Sequence, residues 1–139
     1  MSRPVPQIIT RLRADATVAS IAGTRVFAEH PPQDDVLPIV VIGVESVRGF
    51  SDNVGLCHQK VYVASVSVDI ICQTRGQSED LQEAVEDSLI GWVSSDTGYP
   101  INGITSDEGA SWQLIDPKDG SDERGYWCEQ TYSVTYQRI

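Results

Sequence analysis

A chain of 139 residues fits one domain with enough bulk for a real core, and its 40% apolar content excludes a disordered polymer while staying on the lean side. The formal net charge of −10 argues against a general nucleic-acid binder, which needs basic surface to displace counterions. That charge is uneven: Arg3, Arg11, Arg13 and Arg25 against Asp15 give residues 1–25 a net of +3 and leave −13 for the remainder. A basic end and an acidic body suit head-to-tail contact between copies, and they suit an ordinary solvated surface as well. The first residues carry no apolar run of the signal-peptide kind, and no stretch approaches membrane length. Cys57, Cys72 and Cys128 make an odd count, which points to reduced thiols in a cytosolic assembly.

Pro4 and Pro6 keep the first residues out of a helix interior, and a helix begins near Pro6, with Ile8, Ile9 and Leu12 as one stripe and Arg11 and Arg13 off it. Asp15 reads as the N-cap of a second short helix over 16–22, ended by Gly23. A short strand over 25–29 stops at His30-Pro31-Pro32. The next strand, over 37–45, is apolar on both faces through Ile39, Val40, Val41 and Ile42, the pattern of an inner strand. Residues 46–59 form a long turn-rich connection that holds two large apolar residues, Phe50 and Leu56. These either fold back on the core or dock on a neighbour; an extended hairpin arm fits equally.

The strand over 60–74 organises the rest. Tyr62, Ala64, Val66, Val68, Ile70 and Cys72 share a core face; Val61, Val63, Ser65, Ser67, Asp69, Ile71 and Gln73 share a mixed face that suits contact with a helix or another subunit. After a turn at Arg75-Gly76-Gln77, Ser78 is expected to cap a helix running to about Val93. Its apolar face is Leu81, Val85, Ser88, Leu89 and Trp92, its wet face Glu79, Glu83, Glu86 and Asp87, with Ile90 standing among the acids, where a subunit contact would use it. Strands follow over 101–104, 110–115 and 126–137, the last two joined by an Asp-Gly-containing turn that favours antiparallel pairing. The order describes a small α+β domain, a mixed and mostly antiparallel sheet with helices packed on one face.

A search for chemistry comes out thin. Dinucleotide, Walker and nucleophile-elbow motifs are all missing. The acidic stretch 116–123 departs from the calcium-loop spacing, and Cys57-His58 lacks the close cysteine pairing of a structural zinc site. Cys72 and Cys128 fall in strand patterns and read as small core residues, and no histidine is placed to activate them. Tyr126, Trp127, Tyr132 and Tyr136 lack the lysines and arginines that would accompany base stacking.

The order of elements carries a resemblance. It runs through DATVASIAGTRVF (15–27), PPQDDVLPIVVIG (31–43), a turn-rich insertion, VSVDIICQTRGQSEDLQEAVEDSL (66–89) and the closing YSVTYQ (132–137). Together these resemble the tail-completion and tail-terminator family of long-tailed bacteriophages and phage-like particles, over nearly the whole chain. Ala22-Gly23, Arg25-Val26 and Leu37-Pro38 match the family's pattern; the position two after the proline, commonly aromatic there, is Val40 here. The resemblance implies a single tail-terminator-like domain over 1–139, with no enzymatic activity, no cofactor and no metal. It implies a hexameric ring at the head-proximal end of the tail tube, in the virion neck, assembled in the host cytoplasm. The implied partners are further copies, the major tail tube protein and a head connector or stopper protein, with DNA only as cargo in the lumen and no membrane. A head-side connector or adaptor ring, a small binding module of non-viral origin, and a small enzyme built on Cys57, His58 or the 116–123 acids are the competing readings. Candidate assembly residues are Arg11, Arg13, Phe50, Leu56, Val61, Val63, Ile71 and Ile90. Charge reversal at Arg11 and Arg13 is expected to spare the isolated fold.

Overall fold

Both N-terminal prolines lie inside the first helix, which starts earlier than the sequence suggests. In the computed structural model, which describes residues 3–29, 37–49, 60–107, 109–115 and 125–138, α1 spans Pro4–Ala14. The N–H groups of a first turn have no helical partner, so proline there costs nothing in hydrogen bonds. Asp15 ends α1 and caps α2 (Ala16–Ala22), its Oδ1 accepting from Thr17 N and Val18 N at 3.0 Å each. Gly23 closes α2 at φ 61°, in the left-handed region that glycine enters without strain.

The sheet is built on strands β1 (Val26–Ala28), β2 (Ile39–Gly49), β3 (Lys60–Cys72), β4 (Ile101–Ser106), β5 (Ser111–Ile115) and β6 (Gly125–Arg138). Its order is β1-β2-β3-β6-β4, with β5 also on β6. Among the described strands only β1 and β2 run parallel; β2–β3, β3–β6, β4–β6 and β5–β6 are antiparallel. Thus β6 is flanked on one side by β3 along its whole length and on the other by β5 and then β4.

Two boundaries differ from expectation for physical reasons. Strand β2 runs on through Gly49, because Ser46, Val47, Arg48 and Gly49 pair with Ser65, Ala64, Val63 and Tyr62 beyond a bulge between Val44 and Ser46. Cross-strand pairing decides there, and turn-type residues yield to it. The helix α3 spans Arg75–Leu89, so Arg75, Gly76 and Gln77 are helical and Thr74 is the N-cap, accepting from Gln77 N at 3.2 Å. Ser78 is buried and its hydroxyl accepts from Trp112 Nε1 at 2.9 Å, which leaves it unavailable as a cap. The C-terminal end is at Leu89, short of Val93: Ile90 is the C-cap and Gly91, at φ 79°, turns the chain away.

All three described helices lie on one side of the sheet. Ile8, Leu12, Val18, Ala22, Leu81, Val85 and Leu89 meet the core face of the strands, Val40, Ile42, Ala64, Val66, Val68, Ile70, Cys128, Tyr132 and Val134. The period-two core face of β3 is therefore buried as expected from Ala64 to Cys72, with Tyr62 half-buried at its end. Trp92 lies beyond the helix and is half-buried. Cys72 and Cys128 are free and buried, and burial pushes their thiols up to about 12 and about 11 respectively, so both are inert core residues. No helix among the described residues is long and apolar enough to cross a membrane.

Candidate assembly surface

Among the described residues no helix lies on the other side of the sheet, the bare face. Register fixes its membership: Phe27 of β1, Ile39, Val41, Gly43 and Arg48 of β2, the odd-numbered residues Val61–Ile71 of β3, and Trp127, Glu129, Thr131, Ser133, Thr135 and Gln137 of β6. Ile39 and Val41 are buried, while Phe27, Val61, Val63, Ile71 and Trp127 are half-buried. The surface thus has an apolar end around Phe27, Ile71 and Trp127 and a second apolar pair, Val61 and Val63, at the opposite end of β3. Between them Ser65, Ser67, Thr131 and Ser133 form a hydroxyl band. This is a mixed surface, as the alternation of β3 predicts.

Acids cross that band. Asp69 lies opposite Glu129 in the β3–β6 register, and Glu45, at the bulge of β2, accepts a long 3.5 Å hydrogen bond from Ser65 Oγ. Burial raises the Asp69 carboxyl above its usual range; the facing indole N–H of Trp127 pulls it back and Glu45 pushes it up. Asp69 Oδ1 and Trp127 Nε1 are both shielded from solvent without a partner of good hydrogen-bond geometry. A carboxyl raised in the folded state is destabilising once ionised. Asp69 therefore weakens the fold above its raised folded value, and the penalty fades as pH falls towards the ordinary carboxylate value of 3.8. Asp69→Asn is expected to raise the melting temperature at pH 7, with the gain vanishing at about pH 3; melts of both proteins across that range check it. A gain that is constant with pH would show that the carboxylate's charge is not the cause.

The expected assembly residues are distributed as follows. Val61, Val63 and Ile71 lie on the bare face. Ile90 is 42% exposed at the end of α3, on the helix layer, so the structure does not bring it together with them. Phe50 and Leu56 lie outside the described residues, as do Cys57, His58 and the acidic stretch 116–123. Arg11 and Arg13 are bound within the chain. Arg11 Nε donates to Ser88 O at 2.8 Å and its guanidinium stands 4.9 Å from the Trp92 ring centroid; Arg13 Nη2 donates to Val26 O at 2.7 Å. Arg25 does the same, Nε to Pro38 O at 2.9 Å. Reversal of Arg11 or Arg13 removes an internal hydrogen bond and leaves a carboxylate near a carbonyl, so each reversed variant is expected to fold with somewhat reduced stability. Sequence inspection missed these clamps because their acceptors are backbone carbonyls on other elements.

Among the described residues no group of three or more histidine, cysteine or acidic side chains is arranged to hold a metal ion. Comparison with known proteins brings the relationship into view. No curated protein matches the chain. A chain in a solved structure of the virion of a native gene transfer agent particle shares the fold, with a TM-score of 0.74 and 21% identity over 94% of this chain and 91% of that one. The family model for tail completion protein gp17 matches residues 6–136. The chain therefore belongs to the tail completion protein gp17 family, and with it to the structural proteins of phage virion tails.

Proposed function

We propose that the protein caps the head-proximal end of the tail tube and joins it to the head connector, as a hexameric ring. Family membership supports a tail role, and the observation that carries the contact reading is the bare sheet face with its half-buried Val61, Val63, Ile71 and Trp127. A sheet face mixing apolar and polar side chains suits contact with another protein surface. The partners of that face and of Ile90, Arg11 and Arg13 are further copies, the tube protein and a connector or stopper protein. Phe50 and Leu56 belong to the same proposal as contacts of the 46–59 connection. The acidic body of the chain suits a channel through which DNA passes without being held, because like charges avoid tight binding in transit. The role needs neither catalysis nor a cofactor. A connector or adaptor ring on the head side is the second reading, favoured by the same surface.

The test is the double substitution Val61→Glu with Val63→Glu. Both side chains are only half-buried, so the isolated protein is expected to stay folded while tails fail to be completed and joined to heads. Complementation of a strain lacking the protein, scored by electron microscopy for overlong or headless tails, reads the outcome. Normal particles would remove the bare face from the contact surface. Tails of normal length that lack heads would favour the adaptor reading.

A further inference from the structure

Among the described residues the sheet's edges are unequally covered. On β4 the edge away from β6 is occupied by the segment after α3: Gly91 N donates to Ile104 O at 3.2 Å, Ser94 N to Ile101 O at 2.9 Å, and Ile101 N to Ser94 Oγ at 2.9 Å. On β1 the Val26 carbonyl is taken by Arg13. By contrast β1 covers β2 only along Val40–Ile42, and among the described residues no strand pairs with the same edge of β2 over 43–49. Nor does any described strand pair with the edge of β5 away from β6. Unpaired strand edges are templates for another strand.

The open β2 edge is also unfilled on its helix side. Val44 and Val47, whose register partners Val66 and Ala64 are buried, are themselves 40% and 50% exposed. They line a groove of about 580 Å³ with Val5, Pro6, Ile42 and Tyr136. An added strand would cover these aliphatic side chains while pairing with the backbone.

We propose that the open β2 edge of one copy pairs with the open β5 edge of the next, so that neighbouring copies share a continuous sheet. This deepens the ring reading and rests on it. Three observations favour a second copy as the occupant. The two edges lie on opposite sides of the same sheet, which is what a head-to-tail contact requires. Their directions are compatible: β2 opposes β3, β3 opposes β6 and β5 opposes β6, so β5 of the next copy meets β2 antiparallel. Their levels differ, because the centre of β5 aligns through Trp127 with Ile71 while the centre of the open β2 edge aligns with Ser65. Each copy is then displaced along the strands by about 20 Å, at about 3.3 Å per residue. A sheet that closes on itself needs such a stagger, and the β2 bulge supplies local curvature.

Ser46 and Gln113 are exposed, sit at the two open edges and point to the bare face, so they report the pairing. The experiment places Ser46→Cys in one batch of full-length protein and Gln113→Cys or Ser111→Cys in another, all with Cys57→Ser, since the remaining Cys72 and Cys128 are buried. The batches are assembled into particles singly and mixed, then oxidised, and the copy number per particle is measured by mass. Disulfide dimers at least 10-fold more abundant in the mixture than in any single batch are expected. Multiple copies per particle without mixed cross-links would overturn the edge pairing and leave the ring standing. Equal cross-linking by Ser46→Cys alone would show two-fold β2–β2 pairing and overturn the head-to-tail arrangement. A single copy per particle would overturn the ring reading and this inference with it.

Discussion

Leu89→Ala is expected to lower stability by about 3 kcal/mol, a fall in melting temperature of about 10 °C for a chain of this size. Leu89 is 1% exposed at the last turn of α3, in one cluster with Leu12, Ala84 and Val85. The removed atoms leave a cavity between two packed helices and the sheet, and neighbouring backbone cannot collapse into it fully. Trp92→Ala, which the sequence alone would rank as the larger loss at about 3–5 kcal/mol for a buried ring, is expected to cost only about half as much. Its ring is half-buried and lies past the helix end, where it packs partly against the core and partly under Arg11. Thermal melts of the two single variants decide the order. Equal losses, or a greater loss at Trp92, would mean that the tryptophan is a core residue and that α3 extends beyond Leu89.

Gln130→Leu should be nearly as damaging, at about 2–4 kcal/mol, although it inserts an apolar side chain of similar size into the core. Gln130 is 5% exposed and organises a buried polar cluster. Its Oε1 accepts from Gln82 Nε2 at 2.8 Å and Tyr132 OH at 2.9 Å, and its Nε2 donates to Ser106 Oγ at 3.1 Å. Burial raises the Tyr132 hydroxyl well above the usual tyrosine range, a sign of how little solvent reaches it. Leucine strands that hydroxyl without an acceptor, and an unsatisfied buried donor costs more than the bond itself contributed. The cycle with Tyr132→Phe isolates the effect: Gln130→Leu should cost about 1–2 kcal/mol less when the hydroxyl is already gone. Strict additivity of the two substitutions would remove the hydrogen bond as the explanation.

What could be read directly from the residues was periodic. The alternation of β3, the apolar stripe of α3, the Asp15 cap and the Gly23 stop depend on residues close in sequence, and the structure has them as the pattern requires. The mixed outer face of β3 is likewise half-buried, with no described helix upon it. What could not be read depends on contacts between distant positions. Ser78 has the chemistry of an N-cap, yet Trp112, 34 residues away, claims its hydroxyl, and Thr74 caps the helix instead. Gly76 suggests a turn, but the Thr74 cap starts the helix ahead of it, and the exposed Arg75–Glu79 ion pair at 3.0 Å adds a little. Arg11 and Arg13 look like free surface charge because a backbone carbonyl leaves no mark in a sequence. The open sheet edges were invisible for a related reason: which strand ends unpaired is a property of topology, and no residue type announces it.

The arginine clamps have a kinetic consequence. With the guanidinium groups of Arg11, Arg13 and Arg25 each held against a carbonyl of its own chain, these cations have little freedom to swing towards an approaching molecule. Held in place they keep their charge, already counted in the net −10 of each copy, so two copies meet first through their long-range repulsion. At physiological ionic strength that repulsion is screened beyond about 8 Å, and in dilute buffer it reaches about 30 Å. Encounter between free copies should thus quicken as salt is added, the reverse of a contact guided by opposite charges. Dilute subunits would stay dispersed, and accumulation would begin where another surface already holds one copy in place and lets the next approach at short range.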